Sequence, residues 1–257
     1  MSDIALPANR QMRILKELEL NKSITVNQVV ELCGVSAATA RRDLDEMAEA
    51  GILFRTYGGA VLEQHERLEI FHEEKMKLMI PEKTRIAEAA LQFIHDGSSI
   101  CLDSGTTALF LARQLKSYKN LTVVTHNLDI AYSVPLHPSS TLILTGGIRR
   151  DGYNVLVGTL AEEMVEGLSV DVSFLGADAI NEKHGVFNSN FTEIGIKRKI
   201  IACGKKKILL SDHTKFRKKA LTKVCDLDVF DAIITDCGLD AKVRETLENG
   251  TCKLFLV

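Results

Sequence analysis

Arg41 and Arg42 stand side by side just after a run of small side chains, Ser36-Ala37-Ala38-Thr39. On a helix, neighbouring residues diverge by about 100° around the axis. One guanidinium can then reach a base edge while the other clamps a phosphate. Small residues in the first turn let the helix end come close to the bases, and a Thr or Ala methyl can meet a thymine methyl. A second set of residues suits a small anion. Ser104-Gly105-Thr106-Thr107 closes an apolar run and opens a helical one. It offers free backbone N–H groups, two threonine hydroxyls and the positive end of a helix dipole. Lys215 supplies a cation, and Asp103, Asp178 and Glu193 can accept protons from sugar hydroxyls. Thr125 closes another apolar run, and Thr145-Gly146-Gly147 permits close backbone approach.

The elements that must position the arginines form an ordered set. Ile14, Leu15, Leu18 and Leu20 make an apolar stripe for a first helix, with Asn9 as its N-cap. Ser23-Ile24-Thr25 reads as a break, with Thr25 capping a second helix through Val26, Val29, Val30 and Leu32. Gly34 suits the left-handed turn that follows. Ser36 caps the third helix, which packs through Leu44 and Met47 and stops at Gly51. Arg55 and Tyr57 then sit on a two-strand wing that turns at Gly58-Gly59. This is the order of parts in a winged helix-turn-helix, whose second motif helix enters the major groove. An arginine pair alone is common on solvated helices; the ordered set is what favours DNA binding.

Residues 63–82 are dense in charge and read as a solvated, partly helical connection. From residue 83, helices alternate with short apolar runs at 99–102, 121–124, 141–144, 172–175, 207–210, 232–234 and 253–257. That alternation predicts an α/β domain with a largely parallel sheet. Ligands of such sheets bind outside the carboxyl ends of the strands, where the hydroxyl and glycine residues collect. Any one of these loops reads equally as a cap and a turn. Their recurrence at successive strand ends predicts a crevice for a phosphorylated sugar or polyol. The expected domains are therefore 1–62, a linker 63–82, and 83–257.

Composition excludes other classes. The chain has 257 residues, 46% hydrophobic and 26% charged, with a net charge of −2, ordinary for a soluble globular protein. Residues 1–62 hold seven Lys/Arg against eight Asp/Glu, so the DNA reading rests on where the arginines sit rather than on bulk charge. No apolar run is long enough to span a membrane, and no secretory core opens the chain. The six cysteines are widely spaced without a C-x-x-C pair, which predicts reduced thiols in a cytoplasmic protein. No metal site, catalytic residue or cofactor motif is expected, as neither Gly-x-x-x-x-Gly-Lys-Ser/Thr nor Gly-x-Gly-x-x-Gly occurs.

The stretch V-S-x-x-T-x-R-R-D-L-x-x-M-x-x-x-G-I-L-x-R-x-Y-G-G-A resembles the DNA-binding head of DeoR-type bacterial transcriptional regulators. Position 40, usually Ile there, is Ala in this chain. Ile100–Thr107, Leu144-Thr145-Gly146-Gly147 with Arg149, Phe174–Asp178, and Ser211-Asp212-x-Thr214-Lys215-Phe216 resemble the sensor domain of the same regulators. The resemblance implies a repressor of a sugar catabolic operon, with double-stranded operator DNA and a phosphorylated sugar effector as partners. Its DNA-binding residues would be Ser36, Ala37, Ala38, Thr39, Arg41, Arg42, Arg55 and Tyr57. Its effector-binding residues would be Asp103, Ser104, Gly105, Thr106, Thr107, Thr125, Gly146, Gly147, Arg149, Asp178 and Lys215. Heads of this kind read paired half-sites, so a homodimer or homotetramer is expected. His126 departs from the pattern by replacing an expected amide.

That sensor domain also looks like ribose-5-phosphate isomerase, which makes an enzyme the alternative. The isomerase pattern Asp-Gly-Ala-Asp reads Leu175-Gly176-Ala177-Asp178 in this chain, its Lys-Gly-Gly-Gly segment has no counterpart, and its Glu base aligns with Arg198. An apolar Leu cannot transfer a proton, and Arg stays protonated at any working pH. Binding kept and proton transfer lost is the pattern of a sensor.

Overall fold

The computed structural model describes residues 7–21, 23–50, 52–56, 58–61, 72–150 and 152–257. They fall into two units, with the boundary between Leu68 and Glu69. The first begins with α1 (Pro7–Asn21) and β1 (Ser23–Thr25). Asn9 lies inside α1 rather than capping it, because the helix starts earlier, at Pro7. Leu20 is exposed and off the buried stripe. Ser23–Thr25 is not a bare break but a strand. Thr25 nonetheless starts α2 (Val26–Cys33) through a capping box with Gln28, and Gly34 ends that helix at φ 64°. Ser36 caps α3 (Ala37–Glu49), accepting from the Thr39 N–H. The described end of α3 is Ala50 as C-cap; Gly51 lies outside the described residues. β2 (Phe54–Thr56) and β3 (Gly59–Val61) form the wing. β1 adds to it as a third antiparallel strand, giving the order β1-β3-β2. Ile14, Leu18, Val29, Ala40, Leu44, Met47 and Leu53 make the core.

In the second unit, α4 (His72–Lys77) and α5 (Ile80–Ala90) precede β4 (Ser99–Leu102) and α6 (Thr106–Ala112). Then come β5 (Thr122–Thr125), α7 (Leu128–Ser133), β6 (Thr141–Leu144), the hairpin β7 (Ile148–Arg150) and β8 (Val155–Val157), and α8 (Thr159–Glu166). They are followed by β9 (Val170–Leu175), β10 (Ala179–Asn181), β11 (Gly185–Asn188), α9 (Ile194–Cys203), β12 (Gly204–Leu210) and β13 (Thr222–Cys225). The chain closes with β14 (Ala232–Thr235), α10 (Ala241–Glu248) and β15 (Lys253–Leu256). All seven apolar runs anticipated from the sequence become strands of one sheet, ordered β15-β14-β12-β9-β4-β5-β6 and parallel throughout. The small sheet β10-β11-β13 and the β7-β8 hairpin lie outside that alternation.

Period-two alternation serves two cores at once. Ile100, Leu102, Phe174, Ile208 and Ile234 join Ile86 and Ala90 of α5 and Leu109 of α6 on one face. Cys101, Leu175, Leu209 and Ile233 join Ala161 and Val165 of α8 and Ile196 and Ile200 of α9 on the other. The strand order reverses at β4: the chain runs outward to β6, then returns to the opposite side of β4 as β9. The carboxyl ends of β4 and β9 therefore diverge into opposite connections, which opens a crevice at that switch point.

Candidate functional site

In the first unit, α3 carries Arg41 and Arg42 on its exposed side. Ala40, Asp43, Leu44 and Met47 are buried on its other side. Arg10 of α1 grips Asp43 in a two-pronged buried pair, Nε to Oδ2 and Nη2 to Oδ1, both 2.7 Å. That pair fixes the rotation of α3, and so fixes which way the neighbouring arginines face. Arg42 lies 3.9 Å from Glu46 in a loose surface contact. Ala38 is exposed and Ala37 half-buried. The Ser36 and Thr39 hydroxyls lie 3.0 Å apart. Arg55 is placed differently from the α3 arginines. Its Nε donates to Asp45 Oδ1 at 2.6 Å and its Nη1 donates to the Gly59 carbonyl, so it ties the wing to α3. Tyr57 lies outside the described residues.

In the second unit, the crevice is bounded by the ends of β4, β9 and β12. Gly105 and Gly176 meet at its floor, where a Cβ added to Gly176 would lie 3.5 Å from the Gly105 Cα. Ser104, Gly105, Thr106, Thr107, Asp178, Glu193 and Lys215 all line it, as expected. So do Lys75, Tyr153, Asn188 and Lys197, which sequence reasoning missed.

Beneath the floor Asp103 is fully buried. Its Oδ2 accepts from Lys197 Nζ at 2.6 Å and from the Gly176 N–H at 2.9 Å. Its Oδ1 lies 3.2 Å from His126 Nε2. His126 Nδ1 faces the Leu156 carbonyl at 3.0 Å; a carbonyl only accepts, so Nδ1 carries a proton. Burial works against the Asp103 charge, but Lys197 and His126 outweigh it and hold the carboxyl well below its usual range. Burial likewise opposes the Lys197 charge, and Asp103 with Glu193 raises that ammonium above its ordinary value.

At the mouth, Lys75 Nζ donates to Asp178 Oδ1 at 2.6 Å, and the Ser189 N–H donates to Asp178 Oδ2 at 2.9 Å. Burial pushes Asp178 upward, but Lys75 first, then Lys215, hold it well below the carboxylate range. Arg150 donates to Glu193 at 2.6 Å and stacks 3.8 Å above the Tyr153 ring. Burial, with repulsion from Lys218 and Lys75, brings Lys215 down to about 8.

Besides Asp103 beneath the floor, four expected residues are not among those lining the crevice. Thr125 is buried and donates to the Leu102 carbonyl at 2.9 Å, joining β5 to β4. Gly146 and Gly147 follow β6 and are not among the residues lining the crevice. Gly147 presses on β8, where an added Cβ would lie 2.8 Å from the Val157 oxygen. Arg149 is exposed on β7, and its neighbour Arg150 turns toward Glu193 because adjacent strand residues face opposite sides. Arg198 turns away from the crevice to donate to the Val224 and Lys223 carbonyls. The signal for Lys197 was present: it falls at helical spacing with Ile194, Ile200 and Ile201, on the apolar side of α9. Lys75 gave none, being one charge among many.

The second unit thus carries a helix-opening turn and matched ion pairs at a switch point, and the first carries a capped helix with two exposed arginines. Residues 79–237 match the DeoR C-terminal sensor domain, and residues 10–66 match the DeoR-like helix-turn-helix domain. This chain belongs to the DeoR family. Relatives align over nearly the full length of the DeoR chain. The HTH-type transcriptional regulator GolR of Listeria innocua is 32% identical over 95% of this chain and 96% of its own. The putative aga operon transcriptional repressor of Escherichia coli O157:H7 is 31% identical, over 97% and 94%. The glycerol-3-phosphate regulon repressor of Escherichia coli K12 is 29% identical, over 96% and 98%. Among solved structures, ribose 5 phosphate isomerase A from Neisseria gonorrhoeae is 18% identical over 52% of each chain, with a TM-score of 0.36. No described helix is long and apolar enough to cross a membrane.

Proposed function

We propose that this DeoR-family chain represses a sugar or polyol catabolic operon and leaves its operator when a phosphorylated sugar enters the crevice. Relatives named as repressors of the aga operon and the glycerol-3-phosphate regulon support the regulatory half. The observation that carries the ligand half is Lys215. The other crevice cations are matched: Lys75 with Asp178, Lys197 with Asp103, Arg150 with Glu193. Among the described residues the Lys215 ammonium has no ion-pair partner, and burial strains its charge. An anion at this spot relieves that cost, and a phosphate also takes donors from the Ser104–Thr107 turn.

In this reading Asp178, Asn188 and Glu193 receive the sugar hydroxyls, and Asp103 holds the floor rigid. The Thr125, Gly146, Gly147 and Arg149 contributions are indirect, through the strand ends they shape. On the DNA side, Arg41 and Arg42 contact the duplex, with Ser36, Ala37, Ala38 and Thr39 at the groove and Tyr57 as a further contact. Arg55 acts by holding that wing. Two or four chains assemble in the cytoplasm to read paired half-sites. The chain turns nothing over: Leu175 has no proton to give, and Arg198 faces β13.

Two measurements test the proposal. The first is a thermal-shift panel of sugar phosphates; mass action gives about 2.7 kcal/mol of stabilisation at a hundredfold excess over Kd. The second is titration of the same compounds into an operator complex. Aldose–ketose isomerisation by the purified protein would overturn the sensor assignment.

A further inference from the structure

Lys75 belongs to neither matched stretch: it falls after residue 66 and before residue 79, on α4, the first described helix after β3. Yet its ammonium reaches the crevice mouth, 2.6 Å from Asp178 and 5.8 Å from the centre of the Tyr153 ring. α4 is also held by its backbone, because Lys83 donates to the Lys75 and Leu78 carbonyls. Four lysines meet in this corner. Lys75 and Lys218 both repel the Lys83 and Lys215 charges, against Asp212 and Asp178. Among the described residues the corner is short of negative charge.

We propose that Lys75 is a second cation for the effector phosphate, and that its transfer from Asp178 to the phosphate moves α4, the described helix that follows the DNA-binding unit along the chain. This rests on the sugar-phosphate reading above. A phosphate seated against Lys215 repels the Asp178 carboxylate and attracts the Lys75 ammonium, so the pair cannot keep its present geometry once the crevice is filled. Asp178, released, accepts a sugar hydroxyl. The ligand then has different contacts in the two positions of α4, which is what any coupling between two sites requires. Lys75 is a flexible point charge, suited to exchange between two anions.

The test uses the full chain, a fluorescent operator duplex selected from random DNA, and as probe the compound giving the largest thermal shift. The panel runs from inorganic phosphate and glycerol 3-phosphate to six-carbon sugar 1- and 6-phosphates. Probe Kd is measured with and without saturating operator for wild type, Lys75→Met and Lys75→Arg. For wild type the ratio of the two is expected at about 5–150-fold. For Lys75→Met the probe binds about tenfold more weakly, the loss of one charge-assisted hydrogen bond, and the ratio falls to within about twofold of one. Lys75→Arg, which keeps the charge, retains most of the ratio. A wild-type ratio in Lys75→Met overturns the inference. Equal failure of Lys75→Arg and Lys75→Met also overturns it, since packing rather than charge transfer would then be at work. If no probe binds wild-type protein, the sugar-phosphate reading itself fails and this inference falls with it.

Discussion

Lys197 Nζ lies 2.6 Å from Asp103 Oδ2, with both side chains closed off from solvent beneath the crevice floor. The pair joins α9 to the end of β4 across the switch point, and Asp103 also accepts from the Gly176 backbone after β9. One carboxylate thus fixes three elements that carry crevice residues. Removing either partner leaves the other charged and buried, which costs about 3–5 kcal/mol. Lys197→Met is expected to lose that much stability in urea unfolding followed by circular dichroism. A loss under about 1 kcal/mol would mean the pair is not formed.

Acid should weaken the sensor unit in a defined window. Asp103 and Asp178 are both held below the usual carboxylate range. The unfolded chain then binds more protons than the folded one near the unfolded Asp pKa of about 3.9. Their contribution is therefore complete above that pH and is lost as pH falls toward the folded values. Between about pH 5 and 3, Asp178→Asn should lose less stability than wild type loses. Parallel pH curves for the two proteins would remove the Lys75–Asp178 pair from the account.

Lys215 titrates the opposite way. Its pKa falls from 10.5 to about 8 on folding, so between those values the unfolded chain binds the extra proton and stability rises with pH. An effector phosphate favours the charged ammonium, so binding near pH 9 should take up protons. Calorimetry in two buffers of different ionisation enthalpy reads that uptake directly. Lys215→Ala should also weaken effector binding more than Thr106→Ala, because a charged donor is worth roughly twice a neutral one. No proton uptake, or an unchanged effector response in Lys215→Ala, places the phosphate elsewhere.

The three head arginines should separate by mechanism. Arg41→Ala or Arg42→Ala costs about 1–3 kcal/mol of operator affinity where the residue reads a base, with discrimination lost at that position. Where it contacts phosphate, the loss is uniform and the salt dependence becomes shallower. Arg55→Ala should act with Asp45, its partner at 2.6 Å. In a double-mutant cycle on operator affinity, Arg55→Ala and Asp45→Ala are expected to be strongly non-additive. Additive losses would instead make Arg55 a direct DNA contact.

Much of this protein was legible along the chain because the signals are local. Thr25, Gly34 and Ser36 punctuate the head by their own backbone chemistry, and α2 and α3 start where those residues say. Seven apolar runs separated by helices specify a parallel sheet, since a parallel strand needs a crossover to return. Loops rich in Ser, Thr and Gly mark the strand ends that open onto a ligand. The short strand Ser23–Thr25 escaped because three residues hold no period, and it exists only through pairing with β3.

Tertiary structure decided which charges meet. Lys75 and Asp178 are 103 residues apart, and Lys197 and Asp103 are 94 apart; no spacing encodes such a contact. It arises because the strand order reverses at β4 and brings the ends of β4, β9 and β12 to one place. The same holds for Arg149 and Arg150, which are identical in type and adjacent, yet only Arg150 is seen to reach Glu193. Sequence named the chemistry available, a cationic crevice and an arginine-bearing helix. Folding decided that, among the described residues, Lys215 has no ion-pair partner while Lys75 and Lys197 are paired, because ion pairing depends on distances of a few ångströms between segments that are remote along the chain.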